Sequence, residues 1–360
     1  MSGSAIRISF LGDISLNNRY CKIAEKNPFK EFPAIVAQSD YVVGNLEAMM
    51  YGEDGFNLKK TPYLYTDAKG IAQLGNLKLD LVSTAHNHIY DNFESGYSNT
   101  IASLKSSNID YVGSSIDNNS YCEPFVTEIE NVSFAFLNYC HSDTNYAKPE
   151  NTRINLNVYD REIIVRDIGN ARNKADFIIL LLHWGGKTDY GFLPSMEQVE
   201  DAKFFIDRGA DCIVGHHAHC VQPLEIYKGK PIFYCLGNFC FDDIQSHGKT
   251  FQIRKSGKKG IMAHIQFSIK NKKVDAAYSG IENDNLDIVE SKKPIVTLSF
   301  IHPIFFLYKK FKVVRIFYSI YLKKVEPMIF FYQSSDKTFY QKLKRLNYNK
   351  LKGIYKQFFG

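Results

Sequence analysis

From residue 6 to about residue 240 the chain repeats one grammar: a short apolar run ends in a polar cluster, and a stretch with helical spacing follows. The runs Ile6–Gly12, Tyr41–Gly44, Asp80–Thr84, Asp176–Leu182 and Asp211–Val214 are rich in Val, Ile, Leu or Phe and read as strands. Because they are continuously apolar instead of alternating, they suit sheets covered on both faces. Asp67–Gly75, Tyr97–Ser107, Asp160–Lys174 and Ser195–Arg208 read as helices. Strand and helix in alternation predict an α/β fold. The pattern then changes. Phe125 to Leu137 reads as two strands joined at Glu130-Asn131, Pro223–Phe239 as a hairpin turning at Lys228-Gly229-Lys230, and Gly260–Ile281 as a further strand pair. There are no internal repeats.

With 360 residues and 45% hydrophobic content, the chain can bury one large core and still carry an appendage. Charge locates that appendage. The net charge of +6 conceals a segment, Ser291 to Gly360, with 15 Lys and Arg against two acids, attached to a body with 29 against 36. The expected organisation is therefore an acidic domain over 1–290 and a basic, aromatic-rich helical tail over 291–360, with different partners. The seven cysteines form no C-x-x-C pair and sit in apolar runs such as Cys212-Ile213-Val214, which suits a reducing compartment. Neither a secretory signal nor an apolar run of 18 residues is visible, so the expected location is cytoplasmic.

Five polar clusters close the five strand-like runs: Gly12-Asp13, Asn45 with Glu47, His86-Asn87-His88 with Asp91, His183-Trp184, and His216-His217-Ala218-His219. Residues beyond the carboxyl ends of strands in an α/β sheet converge on one crevice. Imidazole, carboxylate and amide without thiolate suit Mn, Fe or Zn at a hydrolytic centre rather than a structural zinc site.

The ordered series Gly-Asp, Asn-Leu-Glu, Asn-His-x-x-Asp, His-Trp-Gly, Gly-His-His-x-His and Leu236-Gly237-Asn238-Phe239 resembles the motif set of the CapA family of capsule and poly-γ-glutamate synthesis proteins, over roughly residues 5 to 285. The resemblance implies a calcineurin-like metallophosphoesterase sandwich, two β-sheets flanked by helices, with a pair of divalent metals at the strand ends. It implies Asp13 and His219 as ligands of the first metal, Glu47 or Asn45 in the bridging position, and Asn87, His183 and His217 on the second. His88 would be a general acid steered by Asp91. The implied activity is phosphoester hydrolysis or phosphoryl transfer on a phosphorylated saccharide, a lipid-linked precursor or a polymer intermediate. The alternative is a non-catalytic subunit holding a polymer and a membrane synthase.

Two positions depart from the pattern. Ser15 stands where many phosphoesterases have histidine, and His86 stands where CapA proteins usually have asparagine, as an extra ligand, a phosphate contact or a neutral exchange. Other residues keep two readings. Asn45 and Asp91 are site residues or caps of the segments that follow. Trp184 stacks on substrate or is a buried aromatic, and Asn238 lines the pocket or supports its ligands. His141, Asp143, Lys187, Asp189 and Tyr190 sit on loops near the same strand ends. In the tail, aromatics interleave with Lys and Arg from Phe305 to Lys324 and again over Tyr340–Leu346, which suits either an anionic membrane face or packing on the catalytic body or a second subunit. No nucleic-acid module is recognisable in it.

Overall fold

The structure is a computed structural model and describes residues 5–23, 27–116 and 122–328. Two compact units are present, Met1–His302 and Pro303–Gly360. In the first, the strands are β1 (Ile6–Ile14), β2 (Tyr41–Leu46), β3 (Leu81–Ser83), β4 (Asp110–Val112), β5 (Ser114–Ile116), β6 (Phe125–Ile129), β7 (Val132–Cys140), β8 (Ile154–Leu156) and β9 (Phe177–His183). They continue as β10 (Cys212–His216), β11 (Leu224–Tyr227), β12 (Lys230–Phe233), β13 (Asn238–Cys240), β14 (Ile244–Ser246), β15 (Lys249–Phe251), β16 (Lys259–Ser268), β17 (Lys273–Asp284) and β18 (Asp287–Glu290). The helices are α1 (Phe32–Ile35), α2 (Ala68–Ala72), α3 (Phe93–Ser106), α4 (Arg161–Arg172), α5 (Met196–Asp207), α6 (Lys293–Lys310) and α7 (Lys312–Ile320).

An eight-stranded sheet runs β18-β17-β16-β1-β2-β3-β4, with β13 pairing β1, and a six-stranded sheet runs β11-β12-β10-β9-β7-β6. The strands that carry the polar clusters are parallel to their neighbours: β1 to β2 and β2 to β3 in the first sheet, β9 to β10 in the second. Their apolar residues divide between two cores. Phe10, Val43, Ala263 and Phe267 face Phe134, Phe136, Phe177 and Val214 between the sheets. Val42, Leu11 and Val82 face the outer layer of Leu77, Tyr97, Ile101 and Leu104. That division explains the continuous apolar runs, since adjacent residues are buried on opposite faces. The ring of Phe267 spans the sandwich, 5.2 Å from Phe134 and 5.0 Å from Phe177 between centroids. Such pairs add roughly 0.5–1.5 kcal/mol each beyond area burial.

Local signals set the helix starts. The Asp67 side chain accepts from Gly70 N, that of Asp160 from Glu162 N and Ile163 N, and Ser195 with Gln198 forms a capping box. Both predicted turns are present, with φ of +49° and +64° at Glu130 and Asn131; the turn expected over Lys228-Gly229-Lys230 is the two residues Lys228 and Gly229, with φ of +50° and +76°, and Lys230 already pairs in the strand.

The second hairpin is shorter than expected. Its returning arm ends at Phe233, and after Gly237 (φ +75°) β13 crosses to the other sheet and pairs with β1. Helix α3 starts at Phe93, four residues before the expected Tyr97, and the helix expected over Asp67–Gly75 is α2 followed by a 3-10 turn, Gln73–Leu77. All seven cysteines are free. Among the described residues no helix is long and apolar enough to cross a membrane. The basic stretch Tyr340–Leu346 lies outside the described residues.

The β1–β13 crossing leaves no room at Gly12, where an added Cβ lies 2.0 Å from Gly237 O and 3.3 Å from Phe239 N. Gly12→Ala is expected to cost about 2–3 kcal/mol, the upper range for overpacking. Urea unfolding measures it, and a loss below about 0.5 kcal/mol, the size of an ordinary surface substitution, contradicts a rigid crossing.

Candidate metal centre

Both sheets supply the site. Strand β1 carries Asp13 one residue before its end, β2 carries Asn45 and leads to Glu47, and β3 leads into the turn His86–Asp91. From the other sheet, β9 ends with His183 and β10 leads into His217 and His219. Direct contacts join the two sets: His217 N donates to Asp13 Oδ2 at 3.3 Å, and His183 Nε2 lies 2.9 Å from Asn87 Oδ1.

The residues fall into two overlapping groups. His219 lies 3.4 Å from Asp13 and 3.6 Å from Glu47, while His183 lies 2.9 Å from Asn87 and 3.1 Å from His217. Glu47 Oε1 reaches both groups, being 3.7 Å from His183 Nε2. Asn45 also touches both, since its amide nitrogen is 2.8 Å from Asp13 Oδ1 and 3.4 Å from His183 Nδ1. The Asn45 oxygen, however, accepts from Ser83 Oγ at 2.8 Å. Of the two candidates for a shared position, Glu47 is the one with free oxygens.

His88 Nδ1 and Asp91 Oδ2 are 2.5 Å apart. Burial pushes Asp91 well above the usual carboxylate range; in its ionised form it only accepts, so Nδ1–H then donates, and His88 Nε2 lies 3.9 Å from Glu47 Oε1. Asp91 Oδ2 also accepts from Leu64 N at 2.6 Å. At the start of α3 the cap position belongs to Asn92, which makes no side-chain capping bond. His86 accepts from His88 N through Nδ1, and its buried Nε2 has no hydrogen-bond partner. Asn238 Oδ1 is 2.8 Å from His219 Nδ1 while its amide donates to Gly257 O, so Asn238 orients that imidazole. Trp184 is 2% exposed, donates to Tyr234 O at 3.0 Å and stacks on the Tyr234 ring, the surroundings of a packed aromatic.

His217 and His219 have φ of +90° and +52°. Non-glycine residues adopt this region at a cost of about 1–3 kcal/mol each, and such strain persists only where neighbours hold it. Here it turns both imidazoles back over the ends of β1 and β2. His216 faces elsewhere, with Nε2 on Leu11 O at 3.2 Å. His141 pairs with Asp143 at 2.8 Å and Lys187 with Glu197 at 2.8 Å. Two residues of the site carried no sequence signal. Ser83 sits in an apolar run, and Lys60, only 3% exposed, lies in a polar loop that reads as solvated.

Burial pushes the pKa values of His86, His88, His183 and His216 down and that of His217 to about 3, so these rings are neutral and available as ligands. Burial lowers His219 too, but the carboxylates of Glu47 and Asp13 outweigh it and hold His219 up to about 10. Glu47 is pushed well above the usual carboxylate range by burial. For Asp13, burial acts upward, but the hydrogen bond and charge of His219 prevail and lower it.

A divalent cation fits this environment. Both oxygens of Glu47 are buried without a hydrogen-bond partner, and among the described residues ligand atoms of Glu47, His217 and His219 lie within 4.8 Å of one another. Imidazole and carboxylate are ordinary donors to such an ion.

Two facing sheets flanked by helices, with imidazoles and carboxylates gathered at parallel strand ends, define the calcineurin-like metallophosphoesterase fold. The solved structure of a putative 5'-nucleotidase from Staphylococcus aureus has the same fold, with a TM-score of 0.50 at 11% identity, covering 76% of this chain and 53% of that one. The chain belongs to the family described as bacterial capsule synthesis protein PGA_cap, which matches residues 7–243. It is 31% identical over 248 residues to the PGA biosynthesis protein CapA of Bacillus subtilis and 27% identical over 248 residues to the capsule biosynthesis protein CapA of Bacillus anthracis. The matches cover 67% and 66% of this chain, and 64% and 60% of those relatives.

The depressed histidines set a pH dependence for the metal-free protein. At these five histidines the unfolded chain takes up protons near pH 6.5 that the folded site refuses, so their contribution to stability is full above about pH 6.5. It is lost as pH falls from there toward the depressed values, about 3 for His217. Thermal unfolding across a pH series reads this directly, with the midpoint expected to begin falling near pH 6. A midpoint flat down to pH 4.5 contradicts the burial of neutral imidazoles.

Proposed function

We propose that the chain is a metal-dependent phosphoester hydrolase or phosphoryl-transfer enzyme, acting on a phosphorylated saccharide, lipid-linked or polymer intermediate of capsule or poly-γ-glutamate synthesis. The supporting observation is the alignment of Asp91, His88 and Glu47: an orienting carboxylate, an imidazole and a buried carboxylate with free oxygens. Asp13, Asn45, Glu47, Asn87, His183, His217 and His219 would hold two divalent ions, Mn, Fe or Zn. When bound, these supply electrophilic stabilisation of phosphoryl oxygens and make water acidic enough to attack. The protein's own part is orientation and proton transfer. His88, its Nδ1–H fixed on Asp91, presents Nε2 toward Glu47; on the neutral ring this nitrogen is an acceptor, so it would take a proton from the attacking water and then deliver it to the leaving oxygen. Asn238 keeps His219 turned into the site, and the buried surroundings of His88 limit water.

Ser15 supports a second reading as a non-catalytic polymer-binding subunit, because its buried hydroxyl, without a hydrogen-bond partner, takes the place of a further imidazole near Asp13. Elemental analysis, run alongside hydrolysis of aryl phosphate mono- and diesters with Mn²⁺, separates the two. The enzyme reading expects two metals per chain and turnover. It also expects His88→Ala to lower kcat by about 10²-fold or more with metal retained, and His217→Ala or Asp13→Ala to lose metal and activity together. Unchanged turnover in His88→Ala sinks the proposed acid, and a metal-poor, inactive wild type favours the subunit.

The second unit supports attachment to the inner face of an anionic membrane. On α7, Val313, Ile316, Phe317 and Ile320 are 49–67% exposed at i, i+3, i+4 and i+7, flanked by Lys312, Arg315, Lys323 and Lys324. An apolar stripe bordered by cations matches an acidic lipid surface. In pelleting with vesicles containing about a third phosphatidylserine, the full chain is expected to bind and Ile316→Ser/Phe317→Ser to bind at least about 10-fold less, since each buried apolar side chain is worth roughly 1.5–3 kcal/mol. Equal binding removes this role.

A further inference from the structure

Among the described residues Lys60 is the one lysine or arginine that is fully buried, with 3% of its surface exposed. Burying an ammonium costs several kcal/mol unless its surroundings compensate. Those surroundings are the candidate centre: burial pulls Lys60 below the ordinary lysine value, and the carboxyl groups of Asp91 and Glu47 act in the opposite direction.

The loop holding Lys60 is fastened to the proton-carrying pair. Asn57 N donates to Asp91 O at 2.8 Å and Leu64 N to Asp91 Oδ2 at 2.6 Å, bracketing Lys60 on both sides. His247 Nε2 is 2.9 Å from Lys60 O, and Asn57 Nδ2 donates to Ala147 O at 2.8 Å. The ammonium itself donates to Asn145 O. A plain counter-ion would hydrogen-bond the carboxylates, yet both Glu47 oxygens and Asp91 Oδ1 lack any partner. An ammonium has three donors, so two of the three on Lys60 remain for a ligand.

We propose that Lys60 is the substrate-binding cation of this site, its free N–H groups contacting the non-bridging oxygens of the phosphoryl group whose leaving oxygen His88 protonates. This rests on the phosphoester reading for the identity of the ligand. An ammonium fixed on Asn145 O, in a loop that brackets Asp91, holds an oxyanion in one orientation, and that loop is already braced, so little ordering remains to be done on binding.

Inorganic phosphate is the probe, titrated calorimetrically into the full-length protein loaded with Mn²⁺. Wild type is expected to bind it. Lys60→Met is expected to bind at least about 10-fold more weakly with metal content unchanged, and Lys60→Arg within about 3-fold of wild type, as befits a charge-assisted hydrogen bond. Equal affinity in wild type and Lys60→Met overturns the proposal, as does a wild type that binds no phosphate. Should Lys60→Met fail to fold, wild type labelled with ¹³C at lysine Cε decides. The resonance missing from Lys60→Arg must move on saturation with phosphate, and a stationary one is equally fatal. Turnover is scored separately: phosphate held through Lys60 by a protein that hydrolyses no ester sustains the anion site while overturning the hydrolase.

Discussion

Glu47 is the constraint on which the rest of the centre depends. A carboxylate buried with both oxygens unpaired is costly, so Glu47 either keeps its proton, as burial favours, or needs a cation close by. Without metal, the imidazolium of His219 at 3.6 Å meets part of that need, which is why its proton is held to about pH 10 while His183 and His217 stay neutral. A bound metal would replace that proton with an ion of higher charge. The same electrostatics that burden the fold would create affinity for a cation.

Holding such a cluster in place requires a rigid frame on both sides, because its members come from two sheets. The aromatic contacts of Phe267 with Phe134 and Phe177 lock one sheet over the other. Strand β13 leaves the hairpin region to pair with β1, placing Asn238 opposite Asp13 and against His219. The positive φ angles of His217 and His219 are sustained by these contacts and by the bond from His217 N to Asp13. Strain, sheet packing and ligand orientation thus support one another.

Family membership and geometry contribute different parts of the functional reading. The proposed setting of capsule or poly-γ-glutamate synthesis is drawn from the family, and the 5'-nucleotidase likeness supplies the fold alone. The chemistry rests on this chain's own residues. Ser15 marks where the centre departs from many phosphoesterases, and the proposed donors on that side are Asp13, His219 and Glu47. His86, with a free buried nitrogen, adds a donor beside Asn87.

Strands ending in polar clusters were legible because burial on two faces demands continuous apolar runs, and a run ending in Asp, Asn or His stands out against that background. The turns at Glu130-Asn131 and Lys228-Gly229 were legible for the same local reason, since few residues accept positive φ. Short strands such as β4, β5 and β8 were not, because three residues carry too little pattern. The early start of α3 was hidden by His88 and Asp91, whose side chains serve each other instead of announcing a helix. Sequence by itself determined which residue types stand at the strand ends, and the order of the motifs carried the family. Tertiary structure alone decided that Glu47 rather than Asn45 keeps free oxygens, that Trp184 packs against Tyr234, and that Lys60 lies inside. Each depends on a partner distant in the chain, Ser83 for Asn45, Tyr234 for Trp184 and Asn145 for Lys60, and local pattern holds no record of such pairings.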